Sequence, residues 1–377
     1  MAKKKIKRIA MIGQKRIPSK EGGVENVVEK ISVRLVEKGF DVTCLNRRGN
    51  HVSGKEFNTE KVDNYHGVKI KSVFTINKRG VAAMTSSHVA AIRAALGRYD
   101  IVHFHAEGPS AAIWIPKLFR KKCVVTIHGL DWQRSKWKGF AKRYIKWGEK
   151  MAVKFADEII VLSSNMQQYF KNEYGRETTF IPNGANEHSR RPADIIKNKY
   201  GLNKDDYILY LSRIVPEKGL HYLVEAYQGL KTDKKLVIAG GYSDTVEYCQ
   251  KIKQLSAGNK NIIMTGFVDG IERKELFDNA YVYALPSDLE GMPLSLLEAM
   301  SFGNCCLVSD IPECAEVVNN HGVVFPKGNV AELRNKLQWL CDDSSIVEKY
   351  KSESTDYILE KYNWDDVVEK TVKVYEK

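Results

Sequence analysis

The 377-residue sequence has no apolar run near the ~20 residues that a membrane-spanning helix needs. It has no G-x-G-x-x-G fingerprint, which argues against an NAD enzyme, and no C-x-x-C pair, which argues against a zinc site. The first residues, Met1 to Lys5, are basic and lead into a strand-like segment instead of the apolar stretch of a signal peptide. We therefore expect a cytoplasmic protein, either soluble or peripheral on the inner face of the plasma membrane.

Cysteine is sparse. The seven cysteines are odd in number and scattered, so they predict no disulfide framework, and we expect them to be reduced and mostly buried. They are Cys44, Cys123, Cys249, Cys305, Cys306, Cys314 and Cys341.

The composition is that of a folded protein with an uneven charge. Hydrophobic residues make up 43% and aromatic residues 10%, which excludes a disordered chain, and the length suits two domains. The net charge of +13 divides into +19 for residues 1–185 and −6 for residues 186–377. The two halves therefore present different surfaces.

Short apolar segments alternate with helical patterns along both halves, which predicts α/β domains with parallel sheets. A polar, irregular stretch at 185–200 that contains Pro192 is the predicted linker. The predicted strands are 6–12, 40–45, 68–73, 101–105, 124–127, 158–162, 207–211, 236–239, 262–265, 281–285, 305–309 and 323–325.

The segment after the predicted strand 281–285 has the features of an anion site. Pro293 marks a helix start and Gly303 its end. The amides of Gly291, Met292 and Leu294 then lie at or before the first helical turn, where backbone N–H groups lack partners and the helix dipole favours an anion. This pattern predicts a phosphate site.

Glu298 lies one to two turns further along the same helix, so it would suit neutral donors such as sugar hydroxyls. The alternative is a solvated surface helix on which Glu290 and Glu298 are ordinary charges. Two more loops at predicted strand ends, 213–219 with Arg213 and Lys218 and 266–268, add a guanidinium and an ammonium. The three loops together predict a nucleoside diphosphate site.

The N-terminal half offers weaker candidates. Gly22 and Gly23 stand between a strand and a helix, where they either let the backbone approach a ligand or form a plain turn. His103 and His105 alternate on one strand, a spacing that suits a metal or local hydrogen bonds. His128 follows the strand 124–127 at its carboxyl end, which faces the ligand crevice in open parallel sheets.

Residues 132–155 form a basic, aromatic, helix-like stretch. Positions 134–154 carry eight basic residues against one acid, Glu149, and aromatic residues recur three or four apart. One interpretation is a helix that packs its aromatic face into its own domain. The other is a helix that lies on an anionic membrane surface and presents a lipid-linked acceptor.

Four motifs give the sequence a resemblance to a known family. They are Arg213 and Lys218 within SRIVPEKG, the E-x7-E pair Glu290 and Glu298 within EGMPLSLLEAMSFG, His128-Gly129, and IPNG at 181–184. On these motifs the chain resembles, over nearly its whole length, the family 4 retaining glycosyltransferases of the GT-B fold. The N-terminal KRIPSKEGGVE resembles members that act in bacterial surface polysaccharide assembly, including rhamnosyltransferase-like ones.

The resemblance implies two Rossmann-like domains whose parallel sheets face each other across a cleft. Residues 1–185 would bind the acceptor, residues 201–355 the nucleotide-sugar donor, and residues 356–377 would form a helix that crosses back to the first domain. The implied reaction moves a sugar from a nucleoside-diphosphate sugar to a glycan or lipid-linked acceptor, in cell-surface polysaccharide or glycolipid synthesis. No cofactor is obligatory, and the absence of a D-x-D motif fits an enzyme without a metal site.

The same resemblance implies a role for each matched residue. Arg213 and Lys218 would contact the diphosphate, and alanine at either position should reduce turnover with stability nearly intact. Glu298 would bind the ribose, while Glu290 and the amides of Gly291, Met292 and Leu294 would hold the sugar and the distal phosphate. Val268 would lie against the base, and Gly22-Gly23 and His128 would approach the donor from the first domain.

Two alternatives remain at this stage. A UDP-sugar 2-epimerase shares the fold and the nucleotide site but needs acid and base residues on the sugar. A nucleic-acid-binding protein would account for the basic first half. The sequence contains no recognised nucleic-acid module, so we do not expect nucleic acid as a partner.

Overall fold

The structure is a computed structural model that describes residues 7–20, 22–49, 60–78, 80–241 and 245–377. Met1 to Lys5, Ile6 of the first predicted strand, and Glu21 of the KRIPSKEGGVE segment lie outside these residues. The chain divides into two compact units. Unit 1 comprises Met1–Asn183 and Trp364–Lys377, and unit 2 comprises Gly184–Asn363.

Within the described residues, unit 1 contains an eight-stranded sheet in the order β3-β4-β2-β1-β5-β6-β7-β8, parallel except for the β3–β4 pair. Its strands are β1 (Arg8–Ile12), β2 (Asp41–Arg47), β3 (Asn64–Tyr65), β4 (Val68–Val73), β5 (Ile101–His105), β6 (Lys122–Ile127), β7 (Glu158–Val161) and β8 (Thr179–Phe180). Its first six helices are α1 (Gly23–Glu37), α2 (Val81–Leu96), α3 (Glu107–Ser110), α4 (Trp114–Leu118), α5 (Gly139–Phe155) and α6 (Ser164–Tyr174).

Unit 2 is built on a parallel sheet that has six strands in its described part, in the order β11-β10-β9-β12-β13-β14. The strands are β9 (Tyr207–Leu211), β10 (Lys235–Ala239), β11 (Ile262–Gly266), β12 (Val282–Leu285), β13 (Cys305–Ser309) and β14 (Val323–Phe325). The helices are α7 (Ile195–Tyr200), α8 (Leu220–Gln228), α9 (Val246–Ser256), α10 (Gly270–Asp278), α11 (Leu294–Ser301), α12 (Pro312–Val318), α13 (Val330–Asp342) and α14 (Ser344–Lys361).

Both sheets show why continuous apolar runs form their central strands. Every residue of β5, β9 and β13 is buried, as expected where helices cover both faces of a parallel sheet. The predicted α/β fold with two Rossmann-like sheets is confirmed. All seven cysteines are free and six are buried, as predicted.

The last helix, α15 (Trp364–Glu376), belongs to unit 1. The hydroxyl of Tyr375 is 2.7 Å from His103 Nδ1, and its backbone carbonyl accepts hydrogen bonds from Lys7 and Lys122. Residue 356, the predicted start of the C-terminal segment, lies within α14. No helix in the described ranges is long and apolar enough to cross a bilayer.

The stretch 132–155 is not one helix. Asp131–Gln133 form a 3-10 turn, and α5 begins only at Gly139, so Trp132 and Trp137 lie outside it. The interpretation that the aromatic face packs into the domain holds only in part. Tyr144 and Met151 are half-buried, whereas Phe140 and Trp147 are exposed. The buried face of α5 instead contains Ile145, Gly148, Glu149 and Ala152, because a helix packs closely where its side chains are small.

Candidate active site

The site in unit 2 lies where the order of strands reverses. Strand β9 lies in the middle of the sheet, with β10 paired along one of its edges and β12 along the other. In open α/β sheets such a switch point leaves a crevice at the carboxyl ends of the two strands, and ligands bind there. The loops after β9 and β12 carry Arg213, Lys218 and Glu290.

The loop after β12 leads into α11 as predicted. Pro293 has an extended backbone and caps the helix, which begins at Leu294, and Gly303 follows its end with φ +75°. Among the described residues no side chain caps the N-terminus of α11. The amides of Leu294 and Ser295 therefore start the helix at the crevice, where an anion is favoured.

Lys218 and Glu290 form a buried ion pair. Lys218 Nζ lies 2.5 Å from Glu290 Oε1, and the Ser287 hydroxyl donates to the same oxygen at 2.6 Å. The two charged side chains are only 11% and 8% exposed. The pair thus fixes an ammonium and a carboxylate beside the start of α11.

Gly219 explains how the two loops come so close. It follows the 3-10 turn Pro216–Lys218 with φ +63°, and a Cβ at this position would lie 1.9 Å from the carbonyl oxygen of Pro286. The carbonyl of Glu217 also accepts the backbone N–H of Asp288 at 2.8 Å. Only glycine permits this contact, which holds Lys218 against the second loop.

Arg213 differs from Lys218 in being exposed at the surface of the unit. Its backbone carbonyl accepts a hydrogen bond from the buried Tyr210 hydroxyl at 3.0 Å, so the loop is fixed while the guanidinium faces solvent. Val268, the predicted neighbour of the base, follows β11 and is buried.

Glu298 has a partner that the sequence did not reveal. Arg273 of α10 donates a hydrogen bond to Glu298 Oε2, and both side chains are partly exposed. Nothing in the sequence around Arg273 distinguishes it from a solvated residue, and α10 was not predicted. The contact holds one oxygen of the Glu298 carboxylate.

In unit 1, His128 belongs to a group of three histidines. His128 Nε2 is 3.0 Å from His105 Nδ1, and the ring of His105 stacks on that of His103 with centroids 4.3 Å apart. His103 contacts the Tyr375 hydroxyl and the Thr126 hydroxyl. Burial lowers the pKa of His103 to about 3 and that of His128 to about 4, so both rings are neutral at neutral pH.

These contacts give His103 and His105 hydrogen-bonding roles. In the described part of the chain no group of three His, Cys, Asp or Glu side chains is arranged to hold a metal ion.

Gly22 and Gly23 stand at the N-terminus of α1. Gly22 has φ +94°, and a Cβ there would lie 1.9 Å from Glu25 Oε2. The other oxygen of Glu25 accepts the backbone N–H of Lys15 at 2.8 Å. Gly22 therefore lets Glu25 fold back and close the loop after β1.

Comparison with known proteins identifies the chain. Residues 21–188 match the Glycosyltransferase Family 4 model, and residues 192–357 match Glycosyl transferases group 1. The chain belongs to the family 4 glycosyltransferases. This glycosyltransferase is 27% identical to glycogen synthase of Mycobacterium tuberculosis, in an alignment that covers 98% of this chain and 94% of that protein.

Two further relatives bear on the site. The UDP-Gal:alpha-D-GlcNAc-diphosphoundecaprenol alpha-1,3-galactosyltransferase of Escherichia coli is 28% identical over 66% of this chain and 68% of that protein. The crystal structure of Anabaena HepE in complex with UDP and glucose matches with a TM-score of 0.81 at 15% identity, covering 99% of this chain and 100% of that one. The structural match supports the two-domain GT-B fold.

The buried ion pair changes what we expect of Lys218. Lys218→Met should lower the free energy of unfolding by about 3–5 kcal/mol, because Glu290 would stay buried without its partner. The double variant Lys218→Met/Glu290→Gln should regain most of the lost free energy of unfolding, because no unpaired charge stays buried. Urea unfolding measures both values.

Arg213→Ala is the control, because an exposed side chain should change stability by no more than about 0.5 kcal/mol. A Lys218→Met protein as stable as the parent would show that the pair contributes nothing.

Proposed function

We propose that this glycosyltransferase transfers a sugar from a nucleoside-diphosphate sugar to a lipid-linked or glycan acceptor, with retention of configuration at the anomeric carbon. The observation that carries the proposal is the Lys218–Glu290 pair beside the start of α11, where the capping residue Pro293 makes no side-chain hydrogen bond. A buried ammonium and a helix N-terminus together suit a diphosphate. The name of the HepE complex adds support for UDP and glucose as ligands of this kind of fold.

We assign the donor to unit 2. Lys218 and Arg213 contact the diphosphate, together with the amides of Gly291, Met292 and Leu294. Glu290 accepts hydroxyls of the transferred sugar through the oxygen that Lys218 does not hold. Glu298 accepts ribose hydroxyls, and Val268 lies against the base.

The chemistry requires fixed positive charge. The bond between the anomeric carbon and the diphosphate oxygen breaks, which leaves an oxocarbenium-like sugar and a diphosphate with added negative charge. Lys218 and Arg213 stabilise that charge as it develops. The acceptor oxygen bonds to the anomeric carbon on the face from which the diphosphate departs, and its proton passes to the departing phosphate oxygen.

We assign the acceptor to unit 1 and place His128 near the transferred sugar. Because its ring is neutral, His128 can accept or donate one hydrogen bond without adding charge. The name of the Escherichia coli relative contains a diphosphoundecaprenol acceptor, which supports a lipid-linked acceptor in the synthesis of cell-surface polysaccharide or glycolipid.

We further propose that the enzyme is cytoplasmic and that α5 lies against an anionic membrane surface. Its aromatic side chains are available for this, since Phe140 is 74% and Trp147 42% exposed. Lys142, Arg143 and Lys150 are exposed on the same helix. Basic residues near an anionic surface add about 1 kcal/mol each.

Neighbouring helices also expose apolar side chains. α4 packs against both α2 and α5, and Leu118 at its end and Phe119 just after it are exposed. α2 exposes Leu96 at its end, and Lys121 Nζ holds the ends of α2 and α4 together by donating to the Gly97 carbonyl at 2.9 Å. Exposed apolar side chains among basic ones are typical of an interfacial membrane site.

The donor assignment predicts loss of turnover without loss of folding. Arg213→Ala should lower turnover by about 10²- to 10³-fold, the effect of removing one preorganised charge. Transfer of labelled sugar to a membrane-extract acceptor measures it. Arg191→Ala is the matched control, because Arg191 is also exposed on unit 2 and should leave turnover unchanged. Equal activity in the two variants would exclude Arg213 from the site.

The membrane assignment predicts co-sedimentation with vesicles that contain anionic lipid. The parent should pellet at low salt, and a variant with Lys138, Arg143 and Lys150 changed to Glu should stay in solution. Lys146 is left in place because its ammonium binds Glu149, so its replacement would disturb the fold.

The matched control carries the same charge reversal on unit 2, at the exposed Lys253, Lys260 and Lys274. It should pellet like the parent. If the parent does not pellet, or if both variants behave alike, α5 is not the membrane contact.

A further inference from the structure

Two glutamates of unit 1 are buried side by side. Glu107 is the first residue of α3, Glu149 lies on α5, and neither is exposed to solvent. Gly148 allows the approach, because a Cβ there would lie 2.1 Å from the Glu107 carbonyl oxygen. The two helices therefore hold the carboxyl groups together in the interior.

Glu149 accepts hydrogen bonds from four side chains. Its Oε1 accepts from Lys146 Nζ at 2.7 Å, from the Tyr169 hydroxyl at 2.8 Å and from the Tyr174 hydroxyl. Its Oε2 accepts the indole N–H of Trp132 at 2.9 Å. Such a set of donors stabilises the ionised carboxylate.

Glu107 is placed differently. Its Oε2 accepts the backbone N–H of Asp131 at 2.8 Å, but its buried Oε1 receives no hydrogen bond from the described residues. The Glu107 carboxyl group also interacts with the Glu149 carboxyl group. Two adjacent carboxylates cannot both be charged in a buried site, so a proton between them would satisfy the free oxygen.

The pKa shifts agree in direction with that arrangement. Burial, followed by the hydrogen bond to Glu149, raises the pKa of Glu107 well above its ordinary value. Burial alone would raise the pKa of Glu149 too, but hydrogen bonds from Glu107, Lys146 and the two tyrosines outweigh it and lower the pKa.

Both carboxyl groups hold the segment that follows His128. Glu107 binds the amide of Asp131, and Glu149 binds the indole of Trp132, three and four residues beyond the histidine. Glu107 also follows β5, whose last residue is His105, the hydrogen-bonding neighbour of His128. His105 at the end of β5 thus contacts the His128 ring, and Glu107 just after it contacts the loop that follows His128.

We propose that Glu107, in its neutral form, donates a hydrogen bond to the Glu149 carboxylate and that the pair positions the loop carrying His128. Neither glutamate touches the substrate; both act through the loop. The inference rests on the proposed role of His128 in sugar transfer.

The proposal predicts that glutamine is tolerated at position 107 but not at position 149. Glutamine at 107 reproduces a neutral carboxyl, since its oxygen accepts from Asp131 and its amide donates to Glu149. Glutamine at 149 fails, because its NH₂ group would face donors that now bind an oxygen. Leucine at 107 can neither accept nor donate.

The test compares Glu107→Gln, Glu107→Leu and Glu149→Gln in the full chain by two measurements. The first is the ¹H–¹⁵N resonance of the Trp132 indole, assigned with Trp132→Phe, which needs no enzymatic activity. The second is the kcat and the donor KM of sugar transfer. Glu107→Leu and Glu149→Gln should each misplace the loop and lower kcat by about 10²-fold, while the donor KM changes less than about threefold.

Glu107→Gln should keep the Trp132 resonance and the kcat of the parent, while the other two variants shift the resonance and lose turnover. The proposal is overturned if Glu107→Gln shifts the resonance as far as Glu107→Leu, or if Glu107→Leu leaves it in place. Should Glu107→Leu or Glu149→Gln fail to fold, the Glu107→Gln result still decides. An absence of sugar transfer in the parent would contradict the proposed function alone, because the resonance tests the pair separately.

Discussion

The buried contact between Lys218 and Glu290 is the interaction on which unit 2 depends. An ammonium and a carboxylate lose their hydration when they are buried, and the loss is offset only when both stay together with further hydrogen bonds. Ser287 supplies one such bond, and Gly219 lets the backbones approach closely enough for the pair to form. The loops after β9 and β12 are therefore fixed before any ligand arrives.

Fixing these loops in advance is useful for the proposed chemistry. A charge that is already positioned needs no reorganisation as negative charge develops on a leaving diphosphate. Arg213 complements Lys218, since its guanidinium remains exposed on an anchored loop. In unit 1 we propose a different arrangement, in which neutral histidines and a carboxyl pair set the position of a loop and Lys146 balances the charge of Glu149.

The sequence predicted the strands of the sheets well, because short continuous apolar runs such as 207–211 and 305–309 have the length of strands that are buried on both faces. It also predicted α11 from Pro293 and Gly303. It did not predict Arg273 beside Glu298 or Glu107 beside Glu149, since these contacts join residues far apart in the chain. In α5 the aromatic spacing did not show which side of the helix packs, because that side depends on the small residue Gly148.

The central claim is that unit 2 binds a diphosphate, and a ligand panel tests it most directly. The panel contains UDP, GDP and dTDP, and each is compared with the corresponding nucleoside, which has no phosphate. The measurement is the shift that each ligand causes in the midpoint of protein unfolding. We predict that one nucleoside diphosphate stabilises the protein by about 2.7 kcal/mol at ~100 times its dissociation constant, whereas the matching nucleoside adds little. Equal stabilisation by nucleoside and nucleoside diphosphate, or none by any of the three, would contradict the account.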